Sequence, residues 1–155
     1  MDDLSGPVAQ ECVEGYLFAS PPFELLIFRR VPARGRVWVP VQGKVEPSDP
    51  DYPSALCREV REETGFAARP DELVDLEWHV PFRIDGGPLW RLHAFGLEVP
   101  RSFEPRLNEE FDAFEWVPAS EAMRRLHFED NRAAVERLRE RLGARRPTSA
   151  GLDRR

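Results

Sequence analysis

One stretch limits what this chain can fold into more than any other: residues 43–66, GKVEPSDPDYPSALCREVREETGF. Its centre predicts a short helix carrying Glu59, Glu62 and Glu63 at i, i+3 and i+4. At about 100° of rotation per residue, the three carboxylates share one arc of roughly 100°. Leu56, Cys57, Val60 and Thr64 fall on a second arc, the one able to pack on a core. Asp51 supplies an N-cap, and Tyr52 and Pro53 follow in the first turn, where a missing N–H does no harm. Gly65 can take the left-handed conformation that stops the helix. Glu59 and Glu63 are like charges one turn apart, which costs an isolated helix a few tenths of a kcal/mol. Helix stability therefore does not explain the pattern. A hard divalent cation does, because it turns the repulsion into ligation, and an all-oxygen donor set suits Mg²⁺ or Mn²⁺.

Residues 38–46 read as an apolar strand running into a loop, so strand, loop and acidic helix form one unit. This unit resembles the signature of the Nudix hydrolase family, G-x5-E-x7-R-E-U-x-E-E-x-G-U, with U an apolar residue. Gly43 is its first glycine, and residues 58–66 fit the second half without a gap. The first half departs from the pattern. Asp49 stands in place of the first glutamate, eight residues rather than seven separate it from Arg58, and Gln42 replaces a glycine often found ahead of the signature. Placed in the loop 48–50, the extra residue leaves the glutamates on their face. The departures bear on the pairing of Asp49 with Arg58 more than on the acids.

The resemblance implies an α/β fold, the Nudix α/β/α sandwich with a mixed β-sheet between helices, over about residues 8–142. It implies Mg²⁺-dependent cleavage (Mn²⁺ as substitute) of a diphosphate linkage in a nucleoside triphosphate or related nucleotide, releasing monophosphate and pyrophosphate. Glu59, Glu62, Glu63 and the backbone carbonyl of Gln42 would hold the cation. Glu110, six residues before Trp116, occupies the position from which the family adds a further acid, with Glu109 as the fallback. Glu59, Glu62 and Glu110 are the candidate general bases, with Arg58 orienting the glutamates. The segments around Trp78 to Trp90, residues 108–117 and residues 131–135 are similar to dihydroneopterin triphosphate and dATP pyrophosphohydrolases. A dinucleoside polyphosphate or a nucleotide sugar is the alternative substrate. A non-catalytic nucleotide-binding module is the alternative of another kind, and three mutually repelling carboxylates speak against it.

Elsewhere, residues 11–18 and 24–30 read as strands, the second apolar without alternation as for a strand covered on both faces. Arg30 at its end and Lys44 in the loop are candidates for phosphate contact. Val74, Leu76, Trp78, Val80 and Phe82 alternate on one face of a strand that returns, through Asp85-Gly86-Gly87-Pro88, as residues 89–99. On this hairpin Trp78 and Phe82 are candidates for stacking on a ring and Arg91 for contacting phosphate. Aromatics at strand period more often belong to a core. A strand over 113–117 and two helices follow, the last with Ala134, Val135, Leu138 and Leu142 as a packing stripe closed by Gly143. Residues 1–142 form one domain on this reading, and 143–155 a disordered tail.

A net charge of −6 is the wrong sign for gripping long nucleic acids. It leaves room for a small phosphorylated partner, whose charge a bound metal can offset. Cys12 and Cys57 are too few for a disulfide framework and read as reduced, mostly buried thiols. With no secretory pattern at the N-terminus and no membrane-length apolar run, the expectation is a cytoplasmic monomer or homodimer that meets no membrane.

Overall fold

The computed structural model describes residues 3–153, with side chains described as far as residue 144. Its strands are β1 (Gln10–Ala19), β2 (Glu24–Arg30), β3 (Trp38–Val39), β4 (Val41–Lys44), β5 (Leu73–Arg83), β6 (Leu89–Glu98) and β7 (Phe111–Pro118). The helices are α1 (Tyr52–Thr64), α2 (Ala119–Arg125) and α3 (Asp130–Asp153).

The strands form one mixed sheet organised around β1. Along one edge β1 runs parallel to β6, which continues antiparallel into β5. Along its other edge β1 pairs antiparallel with β4 through Cys12–Gly15 and with β2 through Leu17–Ala19. β2 in turn pairs with β3 at Phe28 and Arg29, and with β7 on its far side. β1 and β2 therefore part company, and β3 and β4 fill the opening between them. The sequence predicted one strand across this region. Pro40 splits it, because a residue without an N–H cannot carry a ladder from one partner to the next.

Helices cover both faces. Ala55, Leu56 and Val60 of α1 are fully buried against Val13, Leu17, Phe28 and Val41. Burial of each large aliphatic side chain there contributes about 1.5–3 kcal/mol. Cys57, expected on this packing face, is only half-buried, whereas Ala55 is the fourth core position. The helix ends behave as the residues dictate: Asp51 accepts the Ser54 N–H at 2.8 Å, and Gly65 stops the helix at φ 83°. On the other face Ala134, Val135 and Leu138 of α3 pack on Tyr16, Phe18 and Ile27. Gly96 permits that approach, since a Cβ there would stand 2.6 Å from Leu138 Cδ1. α3 continues past Gly143, which was expected to end it, and runs to Asp153. A helical glycine costs about 1 kcal/mol and does not forbid the turn.

The alternation in β5 survives an irregularity. Its register with β6 slips between Asp75 and Trp78, with Glu77 at φ 50°. Two residues are taken up there, so Val74, Leu76, Trp78, Val80 and Phe82 still share the α3 face. α3 answers the freed carbonyls: Arg137 donates to Leu76 O and Glu77 O, and Arg141 to Asp75 O. Among the described residues no helix is long and apolar enough to cross a membrane.

Candidate functional site

The acidic face of α1 meets β4 at one glycine. A Cβ on Gly43 would lie 2.0 Å from Glu59 Cδ, so only a bare backbone lets the Glu59 carboxylate seat itself there. Arg58, beside it, gathers the surrounding acids. It holds Asp49 through two bonds, Nε to Oδ1 at 3.0 Å and Nη2 to Oδ2 at 2.8 Å, and Nη2 also donates to the Lys44 carbonyl at 3.0 Å. Its Nη1 donates to Glu59 at 2.9 Å and to Glu62 at 3.1 Å. Asp49 receives the Glu46 N–H as well, which turns the loop so that the extra residue is absorbed and the Asp49–Arg58 pair forms. These donors hold the Asp49 carboxyl below its usual range.

Glu63 is different. It is 1% exposed, and both carboxylate oxygens are buried without a hydrogen-bond donor. Burial, reinforced by the neighbouring Glu59 and Glu110 carboxyls, pushes its pKa far above the ordinary carboxylate value. Glu110 reaches this point from the loop before β7, and Arg34 is 3.2 Å from it. No three His, Cys, Asp or Glu side chains among the described residues already form a metal cage. Arg58 draws Glu59 and Glu62 toward itself, and Arg34 does the same to Glu110. The donor chemistry nevertheless fits a hard divalent cation: every group is a carboxylate oxygen, and a buried one lacks any other partner.

A cavity of about 890 Å³ is lined by β4, the β5–β6 hairpin and the segments bearing Arg34 and Glu110. Glu59 and Glu110 are in its lining together with Arg30, Arg34 and Lys44. Val80, Phe82, Trp90 and Leu92 give it an apolar wall, with Cys12 in the lining and Arg83 and Asp85 following on the hairpin. Lys44 Nζ lies 5.1 Å from the centre of the Trp90 ring, and the Phe82 and Trp90 rings are 5.9 Å apart. Burial pushes the Cys12 thiol up to about 11, so it is no nucleophile near neutrality.

Below this cavity lies a polar chain. Arg30 Nη2 donates to Gln42 Oε1 at 2.8 Å, and Gln42 Nε2 donates to Glu14 Oε2. Tyr16 donates to Glu14 Oε1 at 2.6 Å, and Asn131 of α3 donates to the Tyr16 hydroxyl at 2.8 Å. Burial pushes the Glu14 carboxyl up to about 7, against the pull of those hydrogen bonds.

Of the residues singled out in the sequence, Arg30, Gln42, Lys44, Glu59, Phe82 and Glu110 line the cavity. Glu63 lies beside it, in a smaller hollow shared with Arg30 and Glu110. Glu62 is half-exposed and held by Arg58. Two expectations are corrected. Trp78 shares a face with Phe82 but lies beneath α3, under the Arg137 guanidinium and packed on the core. Arg91 points to the opposite face of the sheet from its neighbour Trp90, and pairs with Glu11 at 2.7 Å. Arg34 was missed, because nothing in a surface turn marks it. Glu14 was missed although a signal existed: a lone carboxylate in the otherwise apolar run CVEGYLF.

Known proteins place this architecture. The family described as NUDIX domain matches residues 17–138, and the chain belongs to that family. It is 35% identical over 120 residues to an octanoyltransferase of Myxococcus xanthus, covering 76% of this chain but only 32% of that protein. It is 27% identical over 100 residues to the mouse asymmetrical bis(5'-nucleosyl)-tetraphosphatase, 64% of this chain and 67% of that one. Its fold matches the dihydroneopterin triphosphate pyrophosphohydrolase of E. coli with TM-score 0.71 and 24% identity, over 84% of this chain and 96% of that one.

Proposed function

We propose that the chain hydrolyses a diphosphate linkage in a nucleoside triphosphate or a closely related nucleotide, releasing the monophosphate and pyrophosphate. The observation that carries this reading is the Glu63 carboxylate, buried without a donor near Glu59 and Glu110, in a hollow beside a cavity that Arg30, Arg34 and Lys44 line together with apolar side chains. Glu59, Glu62, Glu63, Glu110 and the Gln42 carbonyl would hold Mg²⁺ or Mn²⁺. A bound cation of this kind offsets phosphate charge and acidifies water. Arg30 and Lys44, joined by Arg34, face the phosphates, and Arg58 positions Glu59 and Glu62. A carboxylate accepts the proton of the attacking water. Glu59 and Glu110 suit that role better than Glu62, since both line the cavity. Phe82 and Trp90 offer faces on which a base or pterin ring can stack.

A second reading, a dinucleoside polyphosphate as substrate, is favoured by the similarity to the mouse tetraphosphatase. Products decide between them. A panel of dATP, dihydroneopterin triphosphate, diadenosine polyphosphates and sugar nucleotides should show Mg²⁺-dependent pyrophosphate release from the triphosphates, abolished by EDTA. Release of a nucleoside triphosphate from diadenosine tetraphosphate in preference would select the second reading. No turnover of any member would leave a binding module.

A further inference from the structure

We propose that Glu14 is a positioning residue for the phosphate channel, acting through the polarity of the Gln42 amide on Arg30. The inference rests on the hydrolase reading, in which Arg30 meets phosphate. Every hydrogen bond in the polar chain runs toward Glu14. Asn131 donates to Tyr16, Tyr16 to Oε1, and from the other side Arg30 donates to Gln42 and Gln42 to Oε2. An ionised carboxylate is acceptor-only, so it suits the centre of such an arrangement. Glu14 is 0% exposed, and its partners come from β1, β4 and α3, the elements that bound the cavity.

The consequence falls on Arg30. The Gln42 amide must offer Nε2 to Glu14, which leaves its Oε1 for the guanidinium. Arg30 also borders the hollow that contains Glu63 and Glu110, and those acids attract it. Its side-chain hydrogen bond nevertheless goes to Gln42, and its guanidinium lies 5.5 Å from the centre of the Phe128 ring. Gln42 thus keeps Arg30 on the cavity side, and Glu14 keeps Gln42 the right way round. Were the amide reversed, its NH₂ would face the guanidinium, donor against donor. Arg30 would then be released toward the acids, neutralising them and leaving the channel.

Glu14→Gln is nearly isosteric and tests this directly. Its amide can present oxygen to Tyr16 or to Gln42, but not to both. Loss of one hydrogen bond to a charged group predicts a rise of about tenfold in the KM for the preferred triphosphate, larger than any change in kcat. In an Arg30→Ala background the same substitution should add less than about twofold, because coupled residues are not additive. The exchange Glu14→Gln with Gln42→Glu restores the pairs with Tyr16 and Arg30 and the bond between residues 14 and 42, giving up only the long contact from Asn131 at 3.5 Å, and should bring KM part of the way back toward that of the parent chain. The proposal is overturned if Glu14→Gln leaves KM unchanged, or raises it equally with and without Arg30. Should the parent chain show no turnover, the hydrolase reading fails by itself. The same cycle read on the Kd for inorganic pyrophosphate then decides the positioning role.

Discussion

Gly43 carries its meaning in what it lacks. The Glu59 carboxylate occupies the space a side chain would need, so Gly43→Ala must displace either the loop or the acid. A shift of about 1 Å at such a point costs roughly 10²-fold in rate, and kcat/KM should fall by that order while the melting temperature changes little. Unaltered kinetics would mean that Glu59 has no part in the chemistry. The sequence made Gly43, Arg58 and the three glutamates legible because their spacing is fixed by helix geometry and loop length. It could not show that Glu63 is the acid without a donor while Glu62 is half-exposed, since both fall on the same predicted arc. That difference is made by elements far away in the chain, chiefly β4 and the loop bearing Glu110.

Among the elements, α1 is the most fully written in local residues. Its cap, its stop and its buried face follow from Asp51, Gly65 and the apolar spacing. Asp51→Ala should therefore cost about 1 kcal/mol of stability in a urea titration, with the acids left on their face and catalysis largely kept. β3 and β4 were legible as strand but not as two strands, because the change of partner at Pro40 is a property of the sheet. The hairpin shows the same limit. Alternation assigned the right face to both Trp78 and Phe82, yet α3 covers one and leaves the other in the cavity. Nothing local reports where a helix from the far end of the chain will lie. Arg91 went astray for a simpler reason: period two sets it opposite Trp90, whatever its charge suits it for.

On the scale of the whole molecule, the fold holds carboxylates together without a cation. The cost has a pH dependence. Glu63 has a folded pKa raised above its ordinary 4.5, so in the metal-free protein its favourable contribution is complete below that value. It is lost progressively as pH rises above 4.5. In EDTA the melting temperature should therefore decline as pH is raised from about 5 to 8. Mg²⁺ should restore more of it at pH 8 than at pH 5, because only the deprotonated acid ligates. A rise of stability with pH in EDTA would show that Glu63 is not strained in the way its burial implies.

The central claim is that the buried acids of α1, with Glu110, are a cradle for a divalent cation. A calorimetric titration with Mn²⁺ or Mg²⁺ at pH 7, repeated in two buffers of different ionisation enthalpy, tests it most directly. The parent chain should bind and release about one proton per cation, as a carboxylic acid held protonated by burial must. Glu63→Gln should weaken binding and abolish the proton release. Binding of equal strength in the variant, or no proton released by the parent chain, would contradict the account.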